Sequence, residues 1–203
     1  MPDWLQIPPS ELFALLAAIG FAAGLNLYAT VAALGFLARF GHLPLPPGLQ
    51  LLESWPVIAA SSALFAIEFF ADKIPAFDLI WNALHTFIRV PVAGLLAFEA
   101  TRQLSPEQQL LATLLGAAVA FAAHGGKMAA RTIVTPSPEP LSNITLSVGE
   151  DVLAVALTWL ATRHPYIAGS VALTLVVIIV LLTRLVIRAM RALFRGAEHE
   201  LAR

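Results

Sequence analysis

The chain contains no cysteine, so disulfides, thiol chemistry and cysteine-ligated metals are excluded, although this does not identify the redox compartment. Charge is also scarce. Only 12% of the 203 residues are Asp, Glu, Lys or Arg, against roughly 25% in an average soluble domain. The net charge of -1 leaves no basic face outside the C-terminal end, which argues against nucleic-acid binding. Metal-ligand spacings such as HExxH are missing, as are GxSxG, a P-loop and GxGxxG, so no metal or other cofactor is expected. No connecting loop exceeds about 20 residues, which leaves no room for an inserted soluble catalytic domain. The opening MPDWLQIPPSE carries Asp3 and Glu11 but no Lys or Arg. It lacks the basic start of a cleavable signal peptide, so the first apolar segment is expected to be retained.

What the chain has instead is apolar sequence, 59% of the residues. That is too much for a soluble core with a wetted surface, and it comes in segments of about membrane-spanning length. The pattern predicts an all-α transmembrane bundle of about six spans, a single integral membrane domain over 1–203. The expected helices run from about 11 to 37, 56 to 70, 79 to 100, 107 to 133, 141 to 161 and 166 to 192. Pro/Gly-rich or proline turns separate them: GHLPLPPGLQ, DKIPAFD, RQLSPEQQ and TPSPEP. Pro91 predicts a kink in the third helix, and the two glycines of HGGK point either to a break in the fourth or to close packing of a neighbouring helix against it. The sixth, YIAGSVALTLVVIIVLLT, is the uncharged run best suited to face lipid.

Basic residues set the expected orientation. Arg184, Arg188, Arg191, Arg195 and Arg203 crowd the C-terminal end, whose basic tail covers 188–203, and place it in the cytoplasm. Six spans then put the N-terminus there as well, with Lys73 and Arg131 inside and Arg39, Arg102 and Arg163 outside. Arg184, Arg188, Arg191 and Arg195 recur at helical spacing, which points to anionic lipid headgroups, although a plain topology signal explains them more simply.

Polar residues inside the spans form stripes. On the third helix Asn82, His85 and Arg89 stand at i, i+3, i+7, and on the fourth His124, Lys127 and Arg131 repeat that spacing. Asn143, Ser147, Glu150 and Asp151 occupy one face of the fifth, and Glu68 and Asp72 form an i, i+4 pair on the second. Asn26, beside Gly24, adds a neutral polar group on the first. With Lys73 and Asp78, the stretch EFFADKIPAFDLIWNALHTFIRVP places six ionisable groups within two dozen residues of an otherwise apolar region. A charge at the bilayer centre costs about 3 kcal/mol on insertion scales, so the stripes should face one another and pair. The expected partners are Arg89, Lys127 and His124 against Glu150, Asp151 and Glu68. Adjacent acids such as Glu150 and Asp151 repel, which points to reversible protonation, with His85 and His124 as auxiliary groups. Interhelical glue worth about 1 kcal/mol per contact is the simpler reading for Asn82, Asn143, Thr86 and Ser147.

Two registers of internal repetition compete. One sets Asn82, Thr86 and Arg89 against Asn143, Ser147 and Glu150, after proline turns carrying Asp78 and Glu139. The other aligns Phe21-Ala-Ala with Phe121-Ala-Ala, giving halves of about 11–104 and 105–195.

At EFFADKIPAFDLIWNALHTFIRVPVAG, with GLNLY at 24–28 and TPSPEPLSNITLSVGEDVL at 135–153, the chain resembles the bacterial membrane-protein family labelled domain of unknown function 4126. The resemblance implies an integral protein of the bacterial inner membrane, with no activity attached. The function expected is a small transporter or channel-like protein for an unknown solute or ion. A non-transporting scaffold or lipid-binding protein with buried structural ion pairs is the second reading, and an intramembrane enzyme using His85 or His124 the third. Membrane lipids are the expected partners, and a chain this small could work as a homodimer.

Overall fold

The computed structural model describes residues 8–41, 43–134 and 140–201. Among them there are seven α-helices and no strand: α1 Pro9–Leu25, α2 Leu27–Gly41, α3 Trp55–Ala71, α4 Pro75–Ala100, α5 Pro106–Val134, α6 Pro140–Arg163 and α7 Pro165–Leu201. A 3-10 helix, Pro47–Glu53, precedes α3. Proline opens α4, α5, α6 and α7. Its fixed φ suits a first helical turn, and its missing N–H has no intrahelical partner there to lose. The expected all-α membrane bundle is therefore what forms. Pro136 and Glu139, and the side chains of Asp78 and Arg195, lie outside the described residues, as do residues 1–7 and Arg203.

Four helices are long and apolar enough to cross a membrane: Ile80–Ala100, Pro106–Arg131, Leu141–Arg163 and Pro165–Arg191. The pair Pro47–Glu53 and Trp55–Ala71, bent by 66°, makes a fifth if taken as one span. The sixth expected span, the first in the chain, is two shorter helices. Asn26 takes an extended conformation, φ -147° and ψ 102°. Its N–H still bonds the Ala22 carbonyl, and its own carbonyl already accepts from Thr30 N. Its side-chain Oδ1 accepts from Ala29 N at 2.9 Å, so the residue that breaks the helix also caps the next one. The chain turns back here. Glu11 and Leu12 at the start of α1 line the same 190 Å³ cavity as Leu34 of α2 and Leu43 and Pro44 beyond it.

This return changes the topology expected from six spans. Ser10 Oγ lies 3.0 Å from Tyr166 Oη, so α1 starts beside the start of α7. α7 then runs without interruption to Leu201. The first described residues and the end of α7 therefore sit at opposite ends of the bundle, where six full crossings would have put them at the same end.

α1 packs against α4, α5, α6 and α7 and is buried along almost its whole length. Small residues allow this. A Cβ on Gly24 would lie 2.4 Å from the Ala120 carbonyl oxygen of α5, and one on Gly20 would lie 2.8 Å from that of Gly116. α5 is continuous through His124-Gly-Gly-Lys127, so the expected break in it does not occur. Gly126 instead lets α7 approach, since a Cβ there would lie 2.7 Å from Ile179 Cδ1. α7 faces outward as expected, with only 6% of its apolar stretch buried.

Candidate functional site

Four helices and the α1–α2 break deliver polar groups to one place. Glu68 and Asp72 close α3, and Lys127 and Arg131 lie on successive turns of α5. Asn82, Thr86 and Arg89 on α4 share the i, i+4, i+7 spacing of Asn143, Ser147 and Glu150 on α6. The first trio ends in a base and the second in an acid. The α3–α4 hairpin thus brings two acids and one base to the cluster, and the α5–α6 hairpin two bases and two acids, Glu150 and Asp151.

Lys127 is central. Its Nζ donates to Asp72 Oδ2 at 3.0 Å and stands 3.4 Å from Glu150 Oε2 and 3.6 Å from Glu68 Oε1. It also reaches the Leu25 carbonyl at 3.3 Å, meeting the negative C-terminal end of α1 where that helix stops. Arg131 donates to Glu150 Oε2 at 2.8 Å, Asp72 Oδ2 at 3.3 Å, the Asp72 carbonyl at 3.1 Å and Asn143 Oδ1 at 3.2 Å. Arg89 pairs directly with Glu68. It also donates to Asn82 Oδ1 at 3.1 Å and faces His124 Nδ1 at 3.0 Å. A guanidinium can only donate, so Nδ1 of His124 accepts and its ring proton sits on Nε2. That nitrogen is 2.7 Å from Thr86 Oγ1 and 3.2 Å from the Asn82 carbonyl.

Asp151 differs from the other acids. Its Oδ1 accepts from Asn26 Nδ2 at 2.8 Å, and its Oδ2 is buried without a partner. Among the described residues no base stands within ion-pair distance of it, and Lys73 and Lys127 act on it only from farther off. Against the three cations Arg89, Lys127 and Arg131 the cluster sets four carboxylates, those of Glu68, Asp72, Glu150 and Asp151. Glu68 Oε2 and Asp72 Oδ1 are also buried without partners. All seven residues are at most 7% exposed. Ion pairs join the three cations to Glu68, Asp72 and Glu150 and leave Asp151 without one, in a setting that screens little. Lys73, whose Nζ lies over the Phe69 ring, is a further base acting on Asp151 from outside the cluster.

The sequence-derived residues nearly all converge here, but the pairing differs from the expected one. Arg89 takes Glu68 and not Glu150, because both face inward from the neighbouring helices α3 and α4. Arg131, expected as auxiliary, is as central as Lys127. The i, i+3, i+7 spacing on α5 had already placed it on the right face. His85 stands outside the charged cluster. Its Nδ1 donates to the Trp81 carbonyl at 2.7 Å, its Nε2 meets Tyr28 Oη at 2.9 Å, and its ring stacks on Trp81. Ser147 is buried, with no partner for its hydroxyl. Tyr28 and the Leu25 carbonyl were not anticipated, since both depend on the break at Asn26. Arg184, Arg188 and Arg191 are exposed on α7. Among the described residues no group of His, Asp or Glu is arranged to hold a metal ion.

Fold and site together define a polytopic all-α membrane protein with an ionic interior. The model of the family described as Domain of unknown function (DUF4126) matches residues 13–185, and the chain belongs to that family. No curated protein and no solved structure matches the chain.

Proposed function

We propose that the chain is a small transporter or channel-like protein of the bacterial inner membrane, in which the buried cluster exchanges one positive charge, a proton in the simplest case. The observation that carries the reading is the surplus acid. Asp151 has no ion-pair partner among the described residues and lies against the break in the α1–α2 hairpin. Discontinuous helices are where transporters commonly hold their ions, because helix ends supply partial charges and unpaired backbone groups. Here Lys127 neutralises the end of α1, and Asn26 links the start of α2 to Asp151.

In this reading Glu68, Asp72 and Glu150 with Arg89, Lys127 and Arg131 form a fixed frame, and Asp151 is the variable member. No catalytic step is assigned to any of them. The end of the bundle bearing Lys73, Arg184, Arg188 and Arg191 faces the cytoplasm, and that bearing Arg39, Arg102 and Arg163 faces outward. Arg184, Arg188 and Arg191 then meet anionic headgroups.

One observation favours the scaffold reading: the six framing side chains are closed off and ion-paired, with exposures of 0 to 8%. Proteoliposomes separate the two. With an imposed pH gradient or membrane potential and a pH dye inside, the native chain should pass protons faster than empty vesicles. Asp151→Asn should abolish this while the protein stays folded. Native flux equal to that of empty vesicles, or an undiminished flux in Asp151→Asn, would remove the transport reading.

A further inference from the structure

A cavity of about 710 Å³ forms a groove between α2, α3 and α6, open along one side. Its walls are apolar and notably aromatic, with Phe36, Phe65, Phe69 and Trp159 among them. Among the described residues lining it, Asp151 alone carries an ionisable side chain. That side chain is 5% exposed, with one oxygen held by Asn26 and the other unpartnered. The three cations of the interior are committed to Glu68, Asp72 and Glu150, and Lys73, which acts on Asp151 from farther off, is held over the Phe69 ring and on the Phe69 carbonyl.

We propose that this groove binds a lipophilic monovalent cation, a protonated amine or an onium ion with an apolar body, and that Asp151 provides its counter-charge. The inference rests on the transport reading in taking Asp151 as the uncompensated acid, and it names a substrate class for that site. Three features select the ligand. The volume lies within the usual 300 to 1,000 Å³ of sites for drug-sized molecules. Phenylalanine and tryptophan faces attract cations as well as apolar surface, and do so more strongly away from water. An anion would be repelled by Asp151, and a lipid tail would leave the buried carboxylate as uncompensated as before.

The test is equilibrium binding of tetraphenylphosphonium to the full chain in lipid nanodiscs, with tetraphenylborate as a probe of the same shape and opposite charge. The native protein should bind the phosphonium saturably above protein-free nanodiscs and should not bind the borate in this way. Asp151→Asn should weaken phosphonium binding about tenfold or more, the loss expected for a desolvated ionic contact. Ala156→Trp, which fills the groove from an exposed position on its wall, should weaken it as well. No saturable binding, equal binding of the borate, or unchanged affinity in Asp151→Asn overturns the proposal. If Asp151→Asn does not fold, unchanged affinity in Ala156→Trp does so. The measurement uses no gradient. Phosphonium binding without proton flux therefore removes the transport reading and leaves this site, and flux without binding does the reverse.

Discussion

Replacing Lys127 by Met tests whether the interior is held by its ions. The substitution keeps the length and most of the volume of the side chain while removing a charge that lies within 3.6 Å of three carboxylates and bonds the Leu25 carbonyl. Neutral hydrogen bonds between membrane helices are worth only about 0.6 kcal/mol on average. Removing one partner of a buried ion pair is a larger effect, about 3 to 5 kcal/mol, because the remaining charge is stranded. Lys127→Met should therefore shift the folding equilibrium by two to three and a half powers of ten, at about 1.4 kcal/mol for each. Reversible unfolding in mixed micelles reads this directly. Asp72→Asn in the same background should recover part of the loss, with a coupling energy of about 1 to 3 kcal/mol in the double-mutant cycle. A loss below about 1 kcal/mol, or coupling below about 0.5 kcal/mol, would refute the idea that Lys127 is bound into a desolvated ionic frame.

Two further outcomes follow from packing and topology. Gly24→Ala should destabilise the fold by about 1 to 3 kcal/mol in the same assay, because its Cβ would press on the backbone of α5. Gly125→Ala meets nothing within 4 Å and should be neutral or stabilising by up to about 1 kcal/mol. The natural lack of cysteine makes labelling clean, so single cysteines at Pro9 and Met190 report sidedness. Met190 lies about 37 Å along α7 from its start, beyond a hydrocarbon core of about 30 Å. A membrane-impermeant maleimide should reach one of the two sites in intact cells and the other only after lysis. Labelling of both from one side would contradict the turn at Asn26.

The helices after residue 55 were legible because proline turns and uninterrupted apolar runs mark them from nearby sequence alone. The polar stripes were legible for a related reason: at bilayer depth a charge must face a partner, so helical spacing fixes the inward face of each span. What did not follow from sequence was local geometry without a strong compositional mark. Asn26 breaks a long apolar helix by capping its second half, whereas Gly125 and Gly126, the stronger breaker signal, stay helical, with α7 packed closely against Gly126 alone. Charge counting anticipated which groups would meet, but not that Arg89 would take Glu68 or that Asp151 would be left with an amide. Those pairings depend on which helices are neighbours, and the return of α2 decides that.

The claim most open to a direct test is that Asp151 is the one carboxylate of the buried cluster without an ion-pair partner among the described residues. Stability of Asp151→Asn and Glu150→Gln, measured side by side in mixed micelles, compares adjacent carboxylates that differ only in their partners. The account predicts that Glu150→Gln, which strips Lys127 and Arg131 of a shared counter-charge, loses about 3 to 5 kcal/mol. Asp151→Asn keeps an oxygen for Asn26 and should change stability by less than about 1 kcal/mol, or raise it. Equal losses in the two variants would contradict it.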